Sequence, residues 1–338
     1  MVDKMVKSAN GTRPKIRVAF ICYSPDASFI RRDYKILSKY FSVEKFNYRR
    51  PRDAFGMMRA VWRSDVSFSW FAAGHAFLAV LFSKSLRKKS VVVIGGYEVA
   101  YAPEINYGQL TQMWHKRKFT EFVLRHADLV LPVSDFTKGE SLHVIKPKNI
   151  AVIYNSVDTD KFRPSGKKRN LIITVASGWG SVIKLKGLDT FVTAAIKNPE
   201  LEFAVLGLSE IDMATLEALD PSKNVKLLGH LSRDELIKWY QEAKVYCQLS
   251  YRESFGMALA EAMSCECIPV VTDRGALPEV VGDTGFYVPY GDPEATAEAT
   301  RKAITSSENL RKRSRERVMD KFCIERRETE LLKLLRVD

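Results

Sequence analysis

Twice along this chain, short runs of β-branched and aromatic residues alternate with longer amphipathic stretches. That double alternation is the strongest constraint on what the chain can fold into. "KIRVAFICYS" (15–24) reads as a strand, and "SFIRRDYKILSKYF" (28–41) as a helix with Ile30, Tyr34, Leu37 and Phe41 near helical spacing. "DVSFSWF" (65–71), "KSVVVIGG" (89–96) and "ADLVLPVS" (127–134) are further strands, with helices over 112–126 and 135–143. The rhythm breaks at "YNSVDTDKFRPSGKKRN" (154–170), a linker rich in turn formers and basic residues. A second series follows, with strands at 171–177, 202–207, 225–229, 245–250, 267–272 and 285–290. Its helices fall at 187–197, 210–219, 232–242, 255–264 and 294–305, and a charged helical segment covers 308–335. Near-continuous apolar strands flanked by helices imply parallel sheets covered on both faces. The expected architecture is α/β: two Rossmann-like doubly wound domains, residues 1–164 and 165–307, facing a central cleft. Residues 308–338 form a helical segment expected to pack back on the N-terminal domain.

Charge divides the chain at the same place. Residues 1–150 hold 26 Lys/Arg against 12 Asp/Glu, a balance of +14, while residues 151–338 hold 27 against 28, a balance of −1. A one-sided basic half suits an anionic partner: nucleic acid, an acidic membrane or a phosphorylated substrate. No RNP motif or zinc-finger spacing supports nucleic acid, which is not expected as a partner. Five cysteines form no paired framework, and Cys265 and Cys267 lack a second ligand pair, so they read as buried small side chains rather than a metal site. The first residues carry no apolar leader core, and a reducing cytoplasm is expected. The most apolar run, "FSWFAAGHAFLAVLF" (68–82), is shorter than the roughly 20 residues of a membrane span and reads as a strand followed by a buried helix.

"ESFGMALAEAM" (253–263) directly follows the strand "VYCQLS", and ligands of parallel sheets sit outside the carboxyl ends of strands. Ser254 reads as the cap of the following helix, which leaves the amides of Phe255, Gly256 and Met257 as first-turn donors for an anion. Glu253 can reach beyond such a phosphate, and Glu261, farther along the helix, suits two vicinal hydroxyls such as a ribose diol. Phosphate, diol and a second polyol together describe a nucleotide sugar. Taken alone the spacing is a weak signal, equally met by an amphipathic helix with solvated glutamates.

The surrounding stretches add to it. "ADLVLPVSDFTK" (127–138), "NSVDTDKFRP" (155–164), "KGLDTFVTAA" (186–195), "LLGHLSRDELIKWYQEAKVYCQLS" (227–250), "ESFGMALAEAM" and "GALPEVVGDTGFYV" (275–288) resemble the retaining glycosyltransferase family 4, which has the GT-B fold. The resemblance is weaker over residues 1–126. It implies transfer of a sugar from a nucleotide diphosphate to an acceptor with retention, with no bound metal and no cofactor beyond the donor. It implies that Glu253 binds the sugar's hydroxyls, the amides at Phe255, Gly256 and Met257 the sugar or diphosphate, Glu261 the ribose, and Lys186 the diphosphate. The base is expected near Gly229, His230 and Leu231, and Gly178 and Ser254 join the substrate-binding set. A cation beside a leaving diphosphate stabilises charge that develops in the transition state, which supports Lys186 independently.

The chain departs from the family pattern at four places. The arginine usual a few residues before the lysine is missing from "SGWGSVIKLKG", leaving Lys184 as the replacement. Tyr97 and Glu98 stand where many members carry a histidine and are the substrate-binding candidates for its polar contact near the reacting carbon, a packed tyrosine being the alternative; "SPDASF" (24–29) replaces a glycine pair, and Glu266 replaces a glycine. The acceptor, a glycan or lipid-linked molecule, is expected on the N-terminal side. There "FIRRDYK", "NYRRPRD", "RKK" and "KRK" place cations near aromatics and suit an anionic membrane surface at the inner face of the cytoplasm. Alternatives are a nucleotide-sugar-binding protein without transferase activity, and a nucleotide-sugar epimerase or phosphorylase of the same fold.

Overall fold

The computed structural model describes residues 16–24, 27–176, 182–219 and 221–335. These gather into two compact units. The first holds the chain through Ile94 with Gln112–Leu131 and Val144–Ile150, and the second holds Gly95–Thr111, Pro132–His143 and the chain from Ala151 onward.

The first unit is built on a five-stranded sheet of β1 (Arg17–Cys22), β2 (Ser42–Asn47), β3 (Val66–Trp70), β4 (Lys89–Ile94) and β5 (Leu129–Pro132), in the order β2-β1-β3-β4-β5. Neighbouring pairs β1–β2, β1–β3 and β3–β4 run parallel. Every residue of β3 is buried; of its two serines, the Ser67 hydroxyl meets that of Ser83 at 2.8 Å, while the Ser69 hydroxyl has no partner among the described residues. Buried Asp33 likewise accepts from the Trp70 indole at 3.1 Å. The apolar run at 68–82 divides as expected, into β3 and the helix Gly74–Ser85. Strand β2 and the helix Ala54–Trp62 have no counterpart in the sequence reading. Strand β2 is an edge strand with four of six residues exposed, and the helix carries apolar residues on its exposed side as well as its buried side, which blurs the helical period. Among the described residues no helix is long and apolar enough to cross a membrane.

The second unit is built on a six-stranded sheet of β6 (Arg169–Val175), β7 (Glu202–Leu206), β8 (Val225–Leu227), β9 (Ala243–Gln248), β10 (Ile268–Thr272) and β11 (Phe286–Val288), in the order β11-β10-β9-β6-β7-β8. All five neighbouring pairs are parallel. Ile172, Phe191, Phe203, Val245 and Ile268 belong to one buried core cluster. The strand order reverses where β6 lies between β7 and β9, and the crevice at the carboxyl ends of such a pair is where ligands bind in open parallel sheets. The segment expected to be helical over 308–335 forms two helices, Glu308–Phe322 and Ile324–Leu334. Cys323 between them is extended, and Val157 donates its amide to the Phe322 carbonyl at 2.7 Å, so a strand-like bridge interrupts the helical ladder. Two parallel-sheet α/β units agree with the fold class expected from the alternation.

Candidate functional site

Strand β9 ends at Gln248, and the chain runs through Glu253 to the helix Met257–Ser264. The helix entry corrects one expectation. Its N-cap is Gly256, at φ 91° and ψ 62°, and no side chain caps it. A left-handed residue cannot continue a helix, so the helix starts at Met257, two residues later than expected, and Ser254 is not the cap. The Ser254 hydroxyl instead accepts from the Arg252 guanidinium at 3.1 Å. The amides of Phe255, Gly256 and Met257 have no backbone acceptor among the described residues. They stand at the positive end of the helix, where an anion is favoured. The Phe255 ring packs into the core against Tyr154 and Phe322.

Two of the predicted polar residues meet. The Lys186 ammonium donates to the Glu253 carboxylate, and their side chains are only 17% and 14% exposed. A short helix, Ile183–Lys186, carries the lysine, and the Tyr251 amide fastens to it by donating to the Leu185 carbonyl at 2.9 Å. Glu253 is fixed from behind by residues that sequence reasoning missed. Gln248 Nε2 donates to it at 3.0 Å and the Ser250 hydroxyl at 3.2 Å. Gln248 is itself held by the buried Tyr246 hydroxyl, 3.0 Å from its Oε1. A carboxylate with its orientation set this way, beside an ammonium and a helix N-terminus, can bind hydroxyls and phosphate oxygens together.

Arg252 is a further missed residue. Its side chain is 6% exposed and grips both oxygens of Glu140, Nε donating to Oε1 at 2.9 Å and Nη2 donating to Oε2. Nη2 also donates to the Gly96 carbonyl at 3.0 Å, and the guanidinium lies over the rings of Tyr107 and Phe136. One side chain therefore ties together the turn after β4, the helix Asp135–Val144 and the loop bearing Glu253. Gly96 is required there: at φ 114°, a Cβ would lie 1.9 Å from the Ser254 hydroxyl. Burial raises the Glu140 carboxyl above its usual range, against the pull of Arg252. Glu98 is buried, with its two oxygens accepting from the Gly95 and Gly96 amides at 2.9 and 3.0 Å. Tyr97 is 37% exposed and packs edge-on against Tyr107.

The remaining predicted residues lie as follows. Glu261 is buried on the inner side of its helix and accepts from Arg233, whose guanidinium covers the Phe162 ring at 4.7 Å. Lys184 shares the short helix with Lys186, but its exposed ammonium rests on Asp189, a bond that raises its pKa. His230 is exposed and Leu231 half-buried, and the Gly229 carbonyl accepts from the Gly207 amide at 3.1 Å. Gly178 lies outside the described residues. A further cation, Arg274, stacks on Tyr251 and Tyr290 at 4.5 and 5.1 Å, and the Tyr290 hydroxyl donates to the Lys184 carbonyl at 2.7 Å. Glu279, in "GALPEVVG", caps the helix Asp135–Val144 by accepting from the Asp135 and Phe136 amides at 2.8 and 2.7 Å. Among the described residues no group of three or more His, Cys, Asp or Glu side chains is placed to hold a metal ion.

Comparison with known proteins adds the following. The family model for Glycosyltransferase Family 4 matches residues 11–161, and that for Glycosyl transferases group 1 matches residues 158–319. The chain is 30% identical over 218 residues to the phosphatidylinositol N-acetylglucosaminyltransferase GPI3 subunit of Saccharomyces cerevisiae, covering 59% of this chain and 47% of that protein. It is 32% identical over 165 residues to D-inositol 3-phosphate glycosyltransferase of Mycobacterium sp. (strain KMS), covering 44% of this chain and 38% of that protein. The match thus spans less than half the length of these curated relatives. Among solved structures, Anabaena Alr3699/HepE in complex with UDP and glucose superposes with a TM-score of 0.76 at 15% identity, over 95% of this chain and 99% of that one. Sucrose-phosphate synthase from Thermosynechococcus elongatus gives 0.74 at 16% identity, over 95% and 98%. The chain has the fold of these structures.

Proposed function

The chain belongs to glycosyltransferase family 4, and from that premise we propose that it moves a sugar from a nucleoside diphosphate sugar to an acceptor, with retention at the anomeric carbon and without a metal ion. The observation that carries the reading is the Lys186–Glu253 pair beside the open first turn of Met257–Ser264, at the strand-order reversal of a parallel sheet. In the proposed complex Lys186 and the amides of Phe255, Gly256 and Met257 take the diphosphate, with Lys184 as the second cation. Glu253 takes the hydroxyls of the sugar and Glu261 those of the ribose, while the backbone at Gly229, His230 and Leu231 receives the base. The bond from the anomeric carbon to the phosphate oxygen breaks, and the diphosphate leaves with the electron pair. The acceptor oxygen bonds to that carbon on the same face, and its proton passes to the departing phosphate oxygen.

Structures of the same fold that hold UDP or UDP-glucose support a uridine diphosphate sugar as donor. The names of the two relatives, both inositol-directed, support a phosphate-bearing or lipid-linked acceptor. We place the reaction at the cytoplasmic face of a membrane, where such an acceptor is met. Thermal shift with a panel of uridine and guanosine diphosphate sugars tests donor binding, because a bound ligand raises apparent stability. A UDP-sugar is expected to stabilise the protein, and Lys186→Ala to lower transfer by about 10²–10³-fold. No stabilisation by any nucleotide sugar would defeat the reading, and binding with neither transfer nor hydrolysis would reduce the chain to a binding protein.

A further inference from the structure

The helix Ala54–Trp62 divides by face. Met57, Ala60 and Val61 are buried in a core cluster that also holds Ala79 of the helix Gly74–Ser85. Phe55, Met58 and Trp62 are 74%, 38% and 64% exposed. At 3.6 residues per turn these three fall within an arc of about 60° on the side away from the buried set. A surface helix ordinarily turns polar residues to that side, and a grouped phenylalanine and tryptophan there mark an interaction surface. Cations frame the patch. Arg49, Arg50 and Arg52 precede the helix, Arg59 lies beside the apolar arc and Arg63 follows it, all exposed. Asp53 is the sole carboxylate in 45–63, and its Oδ2 accepts from the Arg49 and Arg50 amides at 2.8 Å each. Five guanidinium groups against one carboxylate leave the segment strongly positive.

We propose that this face docks the protein on an anionic lipid bilayer, with Phe55, Met58 and Trp62 entering the interface and the arginines meeting headgroup phosphates. The composition favours a bilayer over a protein partner. Phe, Trp, Met and Arg also occur in protein interfaces, but five arginines against one carboxylate give this patch a single sign of charge, which suits the uniformly anionic surface of a bilayer, and helices lying in a membrane interface combine aromatic anchors with cations. The helix is already folded against its own unit, so docking need not order it first. The proposal rests on the membrane part of the reading above and on nothing at the donor site.

The test is co-sedimentation of the full chain, without donor, with vesicles of phosphatidylcholine alone and mixed with phosphatidylserine, at low and high salt. Binding to the mixed vesicles is expected, weaker at high salt. Each arginine replaced among Arg50→Gln, Arg52→Gln and Arg59→Gln should weaken it about fivefold. Phe55→Ser with Trp62→Ser should abolish what remains at high salt. In the unsubstituted protein, brominated lipid should quench tryptophan fluorescence, and Trp62→Phe should remove that quenching. Stabilisation by a UDP-sugar should be the same in all variants, which separates failure of docking from failure of the donor reading. The proposal is overturned by absence of binding to acidic vesicles at both salts, or by binding that both sets of substitutions leave intact. It is equally overturned by a dimer or a single-stranded nucleic acid complex that forms in place of vesicle binding and is lost with Phe55 and Trp62.

Discussion

At the scale of single residues, the site is a set of charges held in ion pairs and oriented by neutral neighbours. Glu253 faces Lys186 because Gln248 and Ser250 fix its carboxylate from the strand side. Beside it, Arg252 and Glu140 form a buried pair, and removing one partner of such a pair strands the other. Arg252→Met is expected to lower unfolding free energy by about 3 kcal/mol, and the double variant with Glu140→Met to recover most of it. Chemical denaturation measures both, and an undiminished single variant would refute the pair's role. His75 offers a pH probe in the other unit. Burial holds its imidazole down to about 4, although a ring nitrogen lies 2.6 Å from the Trp70 carbonyl. The unfolded chain takes up that proton near 6.5, so the stability that neutral His75 permits is present above pH 6.5 and is lost as pH falls through about 4. The loss should reach about 3 kcal/mol, and His75→Phe should flatten the slope in denaturation curves over that window.

At the scale of elements, the two ends of the helix Met257–Ser264 show what the sequence carried and what it hid. The spacing of Glu253 and Glu261 and the position after a strand were legible, because both follow from period and chain order. The cap was not: Ser254 is a good capping residue by type, but Arg252 claims its hydroxyl and Gly256 sets the entry. The opposite end explains Glu266. It has φ 65°, with its amide donating to the Met263 carbonyl at 2.9 Å and the Cys267 amide to that of Ala262 at 3.0 Å. This is the paired-bond helix ending that prefers glycine, which is why a glutamate there departs from the family pattern. Glu266→Gly is expected to stabilise the protein by about 1 kcal/mol, read as a raised Tm. An unchanged or lowered Tm would count against the assignment. The Arg252–Glu140 link spans 112 residues, and no periodicity or local spacing reports such a contact.

At the scale of the whole molecule, the charge asymmetry and the double α/β rhythm each have a structural counterpart. The sheets were legible because buried parallel strands read as continuous apolar runs. Strand β2 escaped because its exposed polar positions break that pattern, and the helix Ala54–Trp62 because apolar residues on both of its faces blur the helical period. The central claim is that the carboxyl edge of the second sheet, at β6 and β9, receives a nucleotide sugar. The most direct measurement is a crystal structure of the protein with a uridine diphosphate sugar. The account expects the diphosphate on Lys186 and on the amides of Phe255, Gly256 and Met257, with Glu253 turned from Lys186 to the sugar's hydroxyls. A sugar nucleotide ordered at another place, with the Lys186–Glu253 pair undisturbed, would contradict it.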